Sequence, residues 1–139
     1  MAFSINYKEL SAYISSVTLM KNDFNKFLRE FLLEMADRVI ARVKPRTPVD
    51  TGALRRSWEL GDIKGEGKNI SVEILNEMDY ATDIEYGHRI MGGSEHNVEV
   101  GWYEGRFMLK ISIDEIRKQM PIRYQNEFKK FCIEHGLAI

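Results

Sequence analysis

The sequence predicts an α+β fold in which a long N-terminal helix and C-terminal helices pack on a small antiparallel β-sheet of three or four strands. Three observations carry this expectation. Apolar residues recur at spacings of three and four from Phe24 to Val43, the signature of one buried helix face. Two segments, Ile70-Val72-Ile74 and Val98-Val100-Trp102, alternate apolar with other residues as half-buried strands do. Near the C-terminus Ile122, Tyr124, Phe128, Phe131 and Cys132 read as a last helix.

Taken in order, residues 7–16 read as a short helix with Asn6 or Ser4 as cap and Leu10, Tyr13, Ile14 and Val17 on its apolar side. Lys21-Asn22-Asp23 breaks that pattern and offers a cap for the next helix. Phe24, Phe27, Leu28, Phe31, Leu32, Met35, Val39, Ile40 and Val43 then sustain about six turns, a helix on the order of 30 Å long. Pro45 and Pro48 bracket its end, because the residue before a proline avoids helical geometry. Asp50 or Thr51 can accept bonds from backbone amides and open a helical turn over Ala53–Ser57. Trp58, Leu60 and Ile63 lead into a glycine-rich tip, Lys64-Gly65-Glu66-Gly67-Lys68, and the strand around Ile70–Ile74 follows. Met78 to Tyr86 is a short helix stopped by Gly87. Residues 88–97, with Gly92-Gly93, read as an exposed loop before the strand at Val98–Trp102. Residues 106–113 fit a strand and a helix equally well, and Ile122–Ile133 reads as a last helix.

The 139 residues form one domain, 1–139, with no internal repeat, low-complexity tract or linker. No apolar run approaches the roughly 20 residues that span a bilayer. The N-terminus lacks the basic start and apolar core of a secretory signal. One cysteine, Cys132, excludes an intramolecular disulfide and fits a reducing compartment. Net charge is −1, unevenly spread: residues 1–46 carry +3, residues 47–105 carry −7 and residues 106–139 carry +3. An acidic middle argues against a sequence-specific nucleic-acid binder and suits self-association through complementary surfaces.

Two stretches stand apart from the helix and strand patterns. The first is Thr47-Pro48-Val49-Asp50-Thr51-Gly52-Ala53-Leu54-Arg55-Arg56-Ser57-Trp58, and the second is Tyr80-Ala81-Thr82-Asp83-Ile84-Glu85-Tyr86-Gly87-His88. In this order and spacing they resemble the signature of the phage head–tail joining, or tail-completion (neck), family. That family carries a Thr-Pro-Val-Asp-Thr-Gly-x-Leu-Arg-x-Ser loop and then a Tyr-Ala-x-x-x-Glu-Tyr/Phe-Gly helix end. The resemblance covers roughly residues 20–120. It favours a helix after Gly105-Arg106-Phe107-Met108-Leu109, although the proline usual there is missing.

The resemblance implies a structural protein of a tailed phage, prophage or tail-like particle that completes the head-proximal end of the tail and joins it to the head connector. The expected partners are further copies of the chain in a cyclic homo-oligomer, six by resemblance, the tail tube or terminator, and head-connector proteins. Assembly would take place in the bacterial host cytoplasm, with neither membrane nor cofactor. The interface candidates are Asp50, Thr51, Arg55 and Arg56 of the first stretch and Glu85, Tyr86 and His88 of the second. Adjacent arginines on a helical turn point about 100° apart, so at most one of Arg55 and Arg56 can be buried. An exposed arginine on a rigid loop suits a bidentate link to a partner carboxylate. Trp58 reads as core because it opens a strand with Leu60 and Ile63.

Two rival functions need weighing. A tail terminator, which halts tube polymerisation, would carry the same signature. A small metal-dependent hydrolase or nuclease would draw on His88, His96 and nearby acids, but a zinc site requires three or four placed ligands. Glu85-x-x-His88 has the spacing of a di-iron helix motif, yet such a site needs a second copy and further inward glutamates. Ser57 lacks a nucleophile elbow, Met91-Gly92-Gly93-Ser94 lacks the lysine of a phosphate loop, and His135 has no visible partner. No catalytic constellation and no metal site is expected.

Overall fold

The structure, a computed structural model, describes residues 7–136. Its first element is one helix, α1, Tyr7–Arg46, 40 residues and roughly 60 Å long. The break expected at Lys21-Asn22-Asp23 is absent, and the short first helix is simply the start of α1. Asn and Asp weaken a helix far less than Gly or Pro would. Asp23, moreover, serves as a tertiary partner of His135 instead of a cap. The expected caps Asn6 and Ser4, and the side chains of Leu10, Tyr13, Ile14 and Val17, lie outside the described residues. Pro45 falls in the last turn of α1, and the helix stops before Pro48.

A single turn, α2, Ala53–Arg56, leads into β1, Trp58–Lys64. A 3-10 turn at Gly67–Asn69 returns the chain to β2, Ser71–Asn76. These strands are antiparallel, pairing Trp58 with Asn76 and Lys64 with Ser71, with a bulge between Leu60 and Ile63. Next come α3, Ala81–Tyr86, then β3, Gly87–Gly92, and β4, Val98–Glu104. The latter two form a second antiparallel pair, from Gly87 opposite Glu104 to Gly92 opposite Val98. The last element is α4, Met108–Glu134.

The α+β class stands, with three corrections to the arrangement. The four strands form two separate two-stranded sheets, not one. Residues 88–92, expected as loop, are strand, and only 93–97 turn. The C-terminal helix is also continuous, so the ambiguous residues from Met108 onward and the expected last helix are one element. Pro121 is accommodated mid-helix on the exposed side.

Helices α1 and α4 lie antiparallel, since Asp23 meets His135 at one end while Arg46 meets Ser112 at the other. Between these ends an aromatic seam fills the contact. Phe24, Phe27 and Phe31 of α1 interleave with Tyr124, Phe128 and Phe131 of α4, ring centroids 5.3–6.4 Å apart. Such pairs add to the apolar burial that drives the packing. Nearer the middle, Phe31, Met35 and Val39 bury against Ile116. At the C-terminal end of α1, Val43 gathers Leu54, Trp58, Ala81 and Met108 into a second core cluster. That cluster joins α1, the α2 corner, β1, α3 and the start of α4 at one place.

Candidate functional site

The two motif stretches converge on that second cluster. Thr47, 1% exposed, is its polar pivot: Oγ1 donates to the Val43 carbonyl at 2.7 Å and accepts from Trp58 Nε1 at 2.8 Å. The buried Trp58 indole is thereby satisfied and its ring fixed. Arg55 is half-buried and donates Nη2 to the Thr47 carbonyl at 3.0 Å, while its Nε is buried without a partner among the described residues. Gly52 has φ +85°, which lets the chain turn sharply into α2, and a Cβ there would meet Arg56 Nη1 at 2.7 Å. Thr51 Oγ1 accepts from the Ala53 amide at 3.3 Å, as the sequence predicts of Asp50 or Thr51, and Asn76 Nδ2 ties down the Leu54 carbonyl at 2.8 Å. The corner is therefore rigid, braced by α1, β1 and β2.

Its outer edge is open. Asp50, Thr51 and Arg56 are exposed, and Val49 is 55% exposed. Among the described residues, Arg56 makes only an exposed bond to the Thr51 carbonyl, at 3.3 Å. Beside this edge lies a groove of about 290 Å³ lined by Pro48, Val49, Leu54, Tyr80 and Ile84. One wall comes from each motif stretch, so two segments some 30 residues apart in sequence build one surface.

In the second stretch the structure separates residues that the sequence grouped. Glu85 is 5% exposed and is not available to a partner. Its carboxylate accepts the Leu109 amide at 2.9 Å and the Lys110 amide at 3.0 Å, two of the free donors at the start of α4. A carboxylate there is also favoured by the helix dipole. The residue just before α4, Phe107, has φ +48° and offers no cap of its own. Tyr86, by contrast, is exposed and touches Phe107 edge-on, and His88 stacks on Tyr103 with centroids 5.2 Å apart. Gly87 has φ +86°, and a Cβ there would lie 2.4 Å from the Tyr103 carbonyl oxygen, so glycine is required where α3 passes into β3.

Sequence reasoning missed the polar clamp between the long helices. Glu115 of α4 accepts Arg42 Nη1 at 2.6 Å and also Arg46, which donates its other nitrogen to Ser112 Oγ at 3.0 Å. The bonds from Arg42 and Arg46 hold the Glu115 carboxyl below its ordinary range. His135, expected to have no partner, bonds Asp23 at 3.0 Å and the Phe131 carbonyl at 2.8 Å. Asp23, and then the Phe131 carbonyl, raise its pKa. The only sequence signal for either contact is an arginine or acid on the apolar side of a helix, which is weak without the partner helix. Among the described residues, no three His, Cys, Asp or Glu side chains come together as metal ligands would. His88 sits at the root of the second hairpin, whereas His96 lies in its turn. No described helix is long and apolar enough to cross a membrane.

No curated protein and no solved structure matches the chain. Residues 8–87 match the family described as "Bacteriophage HK97-gp10, putative tail-component", and the match takes in the whole first stretch and the second as far as Gly87. This is more than half of the chain, with both motif stretches seated on one braced corner, and the protein belongs to the HK97-gp10-like family of phage tail components.

Proposed function

We propose that this tail component completes the head-proximal end of the tail and joins it to the head connector, acting as a closed ring of identical copies. The carrying observation is the corner itself: a rigid framework, fastened by Thr47, Arg55 and Trp58, that holds Val49, Asp50, Thr51 and Tyr80 around a groove and leaves Arg56 exposed beside it. Fixed geometry with an exposed edge is what a joining surface needs, because little ordering entropy is then lost on contact. Six copies is the expectation from the family resemblance, and assembly in the host cytoplasm followed by residence in the particle accompanies it. The role calls for no cofactor and no turnover.

Deleting the gene and imaging the products tests the role directly. Tails of normal length that fail to attach to filled heads are the expected result. Overlong tails would mark a terminator instead. A tagged copy should label particles at the head-proximal end alone, and label scattered along the tube would sink the proposal.

A further inference from the structure

The β3–β4 hairpin carries an apolar face with none of the described residues upon it. The pairing shifts between Ile90 and Met91, so Val98, opposite Gly92, shares a side with Ile90, and the bulged Val100 lies against Gly92 on that same side, whereas Trp102, opposite Arg89, faces the other way. Ile90, Val98 and Val100 are 41%, 54% and 63% exposed. A two-stranded hairpin is marginal in water when its apolar side is uncovered, and a contiguous patch of this kind marks a partner surface. The hairpin is acidic as well: Arg89 stands against Glu95, Glu99 and Glu104, a net −2.

A complementary surface lies on α4. Ile111, Lys118, Ile122, Lys129 and Ile133 follow one another at steps of seven, four, seven and four, which return to one helix face at about 100° per residue. All five are exposed, the isoleucines by 44%, 66% and 71%. Lys118 and Lys129 make no ion pair among the described residues. Across α4 six basic residues stand against four acidic, a net +2. The stripe runs roughly 33 Å, ample for a seven-residue strand of roughly 23 Å.

We infer that the hairpin of one copy lays its Ile90–Val98–Val100 face across the Ile111–Ile133 stripe of α4 in a second copy, the net-negative hairpin drawn to the net-positive helix. The two faces differ, so the contact is head-to-tail. Every copy keeps one hairpin and one helix stripe to offer, and such a contact continues until it closes into a ring. This inference rests on the ring reading above and names its interface.

The test uses assembled particles carrying the Val100→Cys/Ile122→Cys chain, treated with a short bismaleimide. Cys132 is only 4% exposed and leaves the unsubstituted chain as a silent control. The expected product is a ladder of covalent multimers ending at the ring, with no ladder from either single-cysteine chain. Absence of the ladder from particles that contain the chain overturns the contact, as does dimerisation of Val100→Cys alone, which would mean hairpin facing hairpin. Independently, Val100→Asp and Ile122→Asp should each reduce incorporation roughly tenfold or more while thermal unfolding of the free chain stays unchanged. Incorporation of both at the unsubstituted level also overturns it. Label at one tail end without a ladder removes this contact but leaves the joining role, whereas a ladder with label along the tube does the reverse.

Discussion

Two β-hairpins of similar length sit in this protein under opposite conditions. The β1–β2 hairpin begins at the buried Trp58 and turns Ile74 into both core clusters against α1 and α4. The β3–β4 hairpin has no buried residue at all, and Trp102 at the equivalent stage is half exposed. Each opens from a motif stretch, yet one is a wall of the core and the other is a projection. The difference shows that alternation in sequence marks a strand without saying whether its own chain covers either face.

The sharpest way to break this comparison is to truncate the two tryptophans. Trp58→Ala is expected to cost about 3–5 kcal/mol, the range for a buried large aromatic, and it also leaves Thr47 Oγ1 without its donor. Trp102→Ala should stay within about 0.5 kcal/mol of the unsubstituted chain. Urea unfolding of both variants checks the pair, and similar losses would erase the distinction between anchored and free hairpins.

The projection is held at its root by Glu85, so the second effect concerns that carboxylate. Glu85→Ala leaves two amides at the start of α4 unpaired inside the protein, expected to cost about 1–3 kcal/mol. Glu85→Gln keeps one acceptor oxygen and should recover part of the loss. Equal stability of all three chains in chemical denaturation would show that water caps α4 as well as Glu85 does.

At the corner the adjacent arginines should separate in the same way as the hairpins. Arg55→Ala removes the bond to the Thr47 carbonyl and is expected to lower stability by about 1 kcal/mol. Arg56→Ala should change stability by under about 0.5 kcal/mol and instead impair head–tail joining. The sequence limits burial to at most one of the two, and the structure assigns it to Arg55. Normal joining by the Arg56 variant would reduce the exposed edge to a connector.

The smallest expected effect is on pH, and it concerns the helix pair from which both hairpins hang. Glu115 is held below its ordinary value of 4.5 by Arg42 and Arg46, so its contribution is complete above that value and is lost as pH falls through the lowered one. Asp114 behaves likewise through Lys110. His135 is raised above 6.5 by Asp23, so its contribution is complete below 6.5 and is lost as pH rises through the raised value. Thermal midpoints should therefore be highest between about 4.5 and 6.5 and decline on both sides. In His135→Gln the alkaline decline should flatten while the acid one persists.

Much of the fold was legible because its determinants are local. The Phe24–Val43 period, the Ile70–Ile74 alternation and the Gly87 stop each follow from neighbours within a few residues. β3 was not legible: Gly87-His88-Arg89 and Gly92-Gly93 look like loop because neither face of that strand meets a core that would impose alternation. The continuity of α1 was hidden for the converse reason, since Asp23 finds its partner 112 residues away at His135. The motif stretches were visible as candidate surface, but their division into buried Glu85 and exposed Tyr86 depends on amides of α4 that lie 24 and 25 positions downstream.

The root of the projecting hairpin has a consequence for how its reach can vary. Backbone bonds from Arg106 to Ile84 and from Phe107 to Glu85 pin the outgoing chain beside the incoming one. Side chains at Gly87 or Gly105 would collide with backbone there. Changes of length therefore cannot enter at the base, but the turn at Gly93–Asn97 is bounded only by paired strand ends. Lengthening such a turn is cheap, about 0.6 kcal/mol for each doubling of the loop. The arm can thus be extended or shortened almost independently of the body, so its reach is free to drift while the fold that carries it stays fixed.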